Sequence, residues 1–347
     1  MKSSIAFLNP ALSTRNVGDL FIQDSVKRII RFDAESSVDI DPRKPLGNVE
    51  IDRINACDAA LIVGTNLWYK TILKEGRWSL SPDILDRIKV PIIPFGVGTT
   101  RHKGDDNGFD PLSIDILRRL HDHCEMASVR DQRTQEVMEE IGITNSLLTG
   151  CPTLFRSLKP NWSMNKGKDT RDIVVTVRKG QRKNVRFLLR ELKESGWNPI
   201  VAAQQEKDQY FAKRMPLIQP ATPTLYKYDI NPYLQLVESH RGSIGWRLHG
   251  NMLHLAHGNP AVFFANCSRA KSFCDTFGLP CVVAEDGEPV SAAVIRESIA
   301  RITDAETFAL LPERYRHYRS EMVSFLEKNG LAHNLKDAVD KPHRHSL

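Results

Sequence analysis

The sequence predicts an α/β protein made of two doubly wound, Rossmann-like domains. Short apolar runs rich in Val and Ile alternate with amphipathic stretches along most of the chain. The alternation stops in a polar, Pro- and Gly-bearing segment and then restarts. The length of 347 residues also exceeds one average domain and suits two of about 150 each.

In the first half, residues 4–9, 59–64, 90–98, 127–131 and 147–151 read as strands, and residues 17–31, 111–124 and 132–141 as helices. Apolar runs of about five residues without alternation fit a parallel sheet covered on both faces. Between residues 156 and 171 the sequence SLKPNWSMNKGKDT loses periodicity and reads as the interdomain linker. Beyond it, strands are expected at 173–178, 199–203, 242–246, 261–265 and 281–284, with helices at 184–195, 205–215, 248–257, 270–277 and 290–302. The expected organisation is therefore a first domain over 1–157, a second over 171–303, and C-terminal helices with a disordered tail over 304–347.

Composition narrows the function classes. The 41% hydrophobic and 26% charged content is that of an ordinary globular protein. The 48 Lys and Arg are offset by 42 Asp and Glu spread along the chain, a net +6 that hints at an anionic ligand without a nucleic-acid-binding stripe or module. The six cysteines (57, 124, 151, 267, 274 and 281) never form C-x-x-C and read as buried thiols of a reducing, cytoplasmic compartment. The apolar run at the start ends at Asn9-Pro10 and reads as a first strand, not a signal peptide. No stretch reaches the roughly 20 apolar residues that span a bilayer, which leaves room only for peripheral membrane contact.

In open α/β sheets ligands bind beyond the carboxyl ends of the strands, so the residues just after each apolar run are the candidates. These are Asn16, Gly18 and Asp19; Gly64 to Trp68; Gly96 to Arg101; Arg130 and Asp131; Arg178; and Arg247 to Gly250. Arg130, Arg178 and Arg247 are each the first charge after a strand, so three guanidinium groups are placed to converge on a phosphate or carboxylate, or else simply to pair with carboxylates. The segment Gly245-Trp246-Arg247-Leu248-His249-Gly250 sets an Arg and a His two apart at a strand-to-helix junction, where the helix dipole adds to the arginine. Anion binding and proton transfer then share one place.

Other features read as structural. Asp19 is expected to cap the first helix. His254 and His257 lack neighbouring carboxylates or thiols and read as packing residues, so no metal is expected. Gly96-Val97-Gly98-Thr99-Thr100-Arg101 is a Gly-rich turn without dinucleotide or Walker spacing. Trp68, Tyr69 and Trp78 lie in what reads as a polar inter-strand segment, either stacking on a sugar or closing a small core of their own.

Taken in order, the segments NVGD, ALIVG, PFGVGT, SVRDQRTQEVMEEIGI, LTGCPTLF, VTVRKG and GWRLHGNMLHLAHGNPAVFFANCSRAKSFCDTFGLP resemble the polysaccharide pyruvyl transferase family over nearly the whole chain. The resemblance implies a GT-B-like arrangement, with two Rossmann-like domains facing across a cleft, the N-terminal one on the acceptor side and the C-terminal one on the donor side. It implies transfer of the pyruvyl unit of phosphoenolpyruvate to a sugar of a polysaccharide or its precursor as a ketal, without metal or other cofactor. It assigns Arg178 and Arg247 to the phosphate and carboxylate of phosphoenolpyruvate and His249 to acid–base catalysis; Arg130, Asn16, Asp19, Gly98 and Arg269 are the further candidates. A lipid-linked acceptor would draw the enzyme to the inner face of the membrane. The chain departs from the family pattern at Asn266-Cys267-Ser268-Arg269 and at Trp246, where a small residue is usual.

Two other functions stay open on sequence. A nucleotide-sugar glycosyltransferase shares the architecture, with Glu285 and Asp286 as carboxylates for the donor ribose. A non-catalytic glycan-binding relative is the other.

Overall fold

The computed structural model describes residues 2–73, 78–99, 108–165, 170–213, 226–284 and 288–335. The first half alternates β1 (Ile5–Leu8), α1 (Val17–Ile29), β2 (Val38–Ile40), α2 (Asn48–Asn55), β3 (Ala59–Trp68), α3 (Pro82–Leu85), β4 (Ile92–Thr99), α4 (Pro111–Asp122), β5 (Ala127–Val129), α5 (Gln132–Glu140) and β6 (Ser146–Leu148). Its six strands are all parallel, in the order β2-β1-β3-β4-β5-β6. The second half holds β7 (Asp172–Thr176), α6 (Arg182–Glu194), β8 (Asn198–Ala202), α7 (Glu206–Lys213), α8 (Asn231–Ser239), β9 (Gly242–Gly245), α9 (Leu248–Ala256), β10 (Ala261–Ala265), α10 (Ser268–Phe277), β11 (Cys281–Val283) and α11 (Ala292–Ala300). Its five strands are parallel too, in the order β11-β10-β9-β7-β8.

Strand order reverses at β1/β3 in the first sheet and at β7/β9 in the second. Crevices open at such points, because successive connections leave towards opposite sides of the sheet. Asn16 to Asp19 follow β1, Arg178 follows β7 and Arg247 follows β9, so the sequence candidates fall at both switch points.

The two halves share apolar packing. Ile5, Phe7 and Phe95 of the first sheet lie in one buried cluster with Met252, Leu255, Phe263 and Phe273 of the second half. Val17 and Phe21 of α1 pack with Val174, Tyr233 and Leu253, and the Phe21 and Tyr233 rings meet edge-on at 5.4 Å. The final helix α12 (Leu311–Lys328) returns to the first sheet, where Phe325 packs on Phe95 with ring centroids 5.1 Å apart. The linker is pinned as well: Trp162 Nε1 donates to Leu255 O at 2.7 Å.

Several expectations are corrected. β3 continues through Gly64 as a ten-residue strand to Trp68, and β4 continues through Gly96 and Gly98 to Thr99, so neither segment is a loop. Trp68 is fully buried and stacks on buried Trp78, whose Nε1 donates to Leu67 O; both belong to the protein core rather than to a sugar platform. β2, α2 and α8 were not expected, since an edge strand of three residues and helices of eight or nine carry little periodic signal. Trp246 points into the core under α6 and α11, 4.7 Å from the Phe264 ring, and away from the Arg247–His249 turn.

Candidate functional site

The turn between β9 and α9 is held by backbone geometry. Gly245 pairs with Thr176 at φ 142°, where a β-carbon would stand 2.3 Å from the Thr176 carbonyl oxygen, so only glycine fits. The Thr176 hydroxyl accepts from the Arg247 amide and donates to Asn251 Oδ1, whose Nδ2 returns to the Gly245 carbonyl. Arg247 is the N-cap of α9, which puts His249 in the helix's first turn.

Arg247 is tied down on its own side of the cleft. It forms an ion pair with Asp208, which is fully buried, and donates to Gln205 Oε1 at 3.0 Å and to Val177 O at 3.3 Å. His249 faces the other domain. Its Nδ1 lies 3.1 Å from where a β-carbon on Gly18 would be, and its Nε2 is buried without a hydrogen-bond partner among the described residues. Burial holds the imidazole well below its ordinary range, and Arg130, Arg269 and Arg247 push the same way. The resting ring is therefore neutral.

Around it the first domain contributes a second charged group. Arg130 is fully buried; its Nε reaches Asp131 at 3.2 Å, while Nη1 and Nη2 have no partner among the described residues. Gly98 makes room for that guanidinium, since a β-carbon there would stand 2.4 Å from Nε and 2.5 Å from Cζ. Asp131 caps α5 through the Thr134 amide and hydroxyl and also accepts from Ser272 of α10 at 3.3 Å.

Asn16, and not Asp19, caps α1: its side chain accepts from Gly18 N at 3.2 Å. Asp19 is instead a buried carboxylate that accepts from the Thr65 hydroxyl at 3.2 Å. Burial raises its pKa, opposed by Arg43, Thr14, Thr65 and Arg269. Thr65 holds φ 74°, uncommon for a β-branched residue. Thr65 falls within the span Gly64 to Trp68 that the strand-end rule selects, whereas Asp208, inside α7, carried no signal in the sequence.

The third cation acting on His249 is Arg269, half-buried in the first turn of α10; Arg178 is half-buried at the N-cap of a short turn after β7. His254 and His257 do not join the site: His257 Nε2 accepts from Arg156 at 3.2 Å and His254 is buried on α9. Thr100, Arg101, Glu285 and Asp286 lie outside the described residues. Among the described residues, no group of three His, Cys, Asp or Glu is arranged to hold a metal ion, and no helix is long and apolar enough to cross a membrane.

Two parallel sheets whose switch points face one cleft, with a buried histidine and three arginines from both sides, define a protein of the GT-B-like class. A family model described as polysaccharide pyruvyl transferase matches residues 9–268, and the chain belongs to that family. No curated protein matches it. Among solved structures it is similar to Staphylococcus aureus MnaA with UDP, at 9% identity, 99% coverage of both chains and a TM-score of 0.53. It is also similar to UDP-GlcNAc 2-epimerase from Methanocaldococcus jannaschii, at 9% identity, 94% coverage of this chain, 99% of that one and a TM-score of 0.53. A putative UDP-N-acetylglucosamine 2-epimerase from Listeria monocytogenes gives 10% identity, full coverage of both and a TM-score of 0.52. At such identity these likenesses establish the fold alone.

Proposed function

We propose that the protein transfers the pyruvyl unit of phosphoenolpyruvate to two hydroxyls of a sugar in a polysaccharide or its precursor. The observation that carries this reading is the buried His249, with an unpartnered Nε2 and three guanidinium groups acting on it. A dianionic donor placed there offsets the cationic field and raises the imidazole's affinity for a proton, so the acid forms in the complex. Protonated His249 gives its proton to the methylene carbon, and C2 becomes an oxocarbenium-like electrophile. One sugar hydroxyl adds to C2 and its proton returns to the imidazole; the C2–O bond to phosphate breaks; a second hydroxyl closes the ketal, and its proton leaves with the phosphate. Arg247 and Arg178 hold the donor's charged groups. Asn16 and Asp19, on the first domain, face the acceptor. With a lipid-linked acceptor the reaction runs at the inner, cytoplasmic face of a membrane.

The test is phosphate release from phosphoenolpyruvate with a panel of sugar acceptors, using the wild type and His249→Ala. Release that needs both an acceptor and His249 supports the reading. If no acceptor elicits release and nucleotide sugars raise the melting temperature while phosphoenolpyruvate does not, the donor assignment is wrong.

A further inference from the structure

The near balance of 48 Lys and Arg against 42 Asp and Glu breaks down at one place on the surface. Residues 178–194 hold seven Lys or Arg against two Glu, a net +5 where the whole chain carries +6. Helical spacing gathers this charge. Lys183, Arg186, Arg190 and Lys193 of α6 recur three or four residues apart, in line with Lys179 in the turn before the helix, and form one stripe about 20 Å long. Arg186 is half-buried and the other four are exposed, as is Arg182 beside them. The opposite side of the helix is closed to solvent: Val185, Leu188, Leu189 and Leu192 pack with Trp246 and Ile295 in a core built, among the described residues, from the second domain alone. The stripe therefore faces water, on the side of the second sheet turned away from the first domain. Of the two carboxylates, Glu191 is buried and accepts from Arg296 of α11 at 2.7 Å, and Glu194 lies 3.8 Å from Arg190 in the last turn.

The stripe is continuous with the cleft. Lys179 N donates to Asp208 Oδ1 at 3.3 Å, and Asp208 is the ion-pair partner of Arg247, so α6 starts at the cleft rim and runs outward from it. We propose that this face of α6 seats the protein on an anionic phospholipid surface. A row of cations on a rigid helix complements a plane of headgroup phosphates, and each adds to the attraction. The apolar side of α6 is already buried in the core, so the contact is electrostatic and peripheral, without insertion. Seated along this helix, the protein brings the cleft edge at Lys179 to the headgroup layer, where a lipid-linked sugar is presented. The docking rests on charge alone; its link to a lipid-linked acceptor rests on the pyruvyl-transfer reading.

The experiment is co-sedimentation of the full chain with vesicles of phosphatidylcholine alone and of phosphatidylcholine mixed equally with phosphatidylglycerol, at low and high salt. Wild type is compared with the triple variant Arg182→Gln, Lys183→Gln, Arg190→Gln, whose melting temperature checks folding and whose substitutions leave Lys179 and the cleft untouched. Wild type should bind the anionic vesicles, release them in high salt, and ignore phosphatidylcholine. Each Lys or Arg near such a surface strengthens binding roughly fivefold, so the folded triple variant should partition roughly 100-fold less. A wild type that binds neither vesicle, or both equally, overturns the proposal, as does a triple variant that binds like the wild type. Random-sequence RNA held through the same three residues more tightly than the anionic vesicles would assign the stripe to nucleic acid and also overturn it. Phosphate release from phosphoenolpyruvate by a protein that ignores vesicles would defeat this inference alone; vesicle binding lost in the triple variant, by a protein that never turns over phosphoenolpyruvate, would uphold it and defeat the pyruvyl-transfer reading.

Discussion

Gly18 of α1 and His249 of α9 meet across the domain boundary so closely that a β-carbon on Gly18 would stand 3.1 Å from the ring's Nδ1. The first domain thereby sets the position of the histidine that the second domain supplies. Gly18→Ala should leave the melting temperature unchanged or slightly raised, since alanine favours a helix by about 1 kcal/mol over glycine. It should lower turnover roughly tenfold by displacing the imidazole a few tenths of an ångström. Melting curves and phosphate-release rates on the same preparation check both; full activity in Gly18→Ala would show that the ring does not depend on this contact.

The Arg247–Asp208 pair makes single substitutions at Arg247 difficult to interpret. Arg247→Ala strands a fully buried carboxylate, and breaking such a pair from one side costs about 3–5 kcal/mol. Arg247→Ala with Asp208→Asn should recover much of that stability without recovering turnover. Chemical denaturation of the two single variants and the double variant measures the coupling.

Acid should destabilise the protein through His121 of α4. Its Nδ1 donates to Leu117 O at 2.7 Å, its Nε2 has no partner among the described residues, and burial lowers its pKa to about 4. A lowered histidine favours folding fully above the unfolded value of about 6.5, and this is lost as pH falls towards 4, a difference of up to about 3 kcal/mol. Denaturation midpoints at pH 7.5 and 4.5 should therefore differ less in His121→Met than in the wild type.

For catalysis the sign is set by the bound anion. His249 is neutral in the free protein, and a dianion beside it raises its pKa, so kcat should fall with rising pH at a higher pH than the one at which the free imidazole deprotonates. Comparing the kcat profile with the His249 ring titrated by NMR without ligand tests this; coincident pKa values would remove the role given to the donor's charge.

Trp246 should matter to stability and not to donor choice. Packed on Phe264 in the core, Trp246→Ala should cost about 3–5 kcal/mol, whereas Trp246→Phe should keep donor affinity within about twofold. Calorimetric affinity for phosphoenolpyruvate in Trp246→Phe decides it.

What the sequence determined by itself was local: the strand–helix alternation, the parallel sheets it implies, and the Arg247–His249 pair at a strand-to-helix turn. These follow from periodicity and from rules about strand ends, which act over a few residues. The family resemblance, too, was carried by short segments in order. Only the tertiary structure decided which ends meet. It brought Gly18 against His249, added Arg269 to the arginines acting on that ring, paired Arg247 with Asp208, moved the helix cap from Asp19 to Asn16, and sent Trp68 and Trp246 into cores. Each of these depends on how two sheets and their helices bury apolar faces against one another, and on which polar groups that burial leaves without water; neither is encoded in the spacing of residues along the chain.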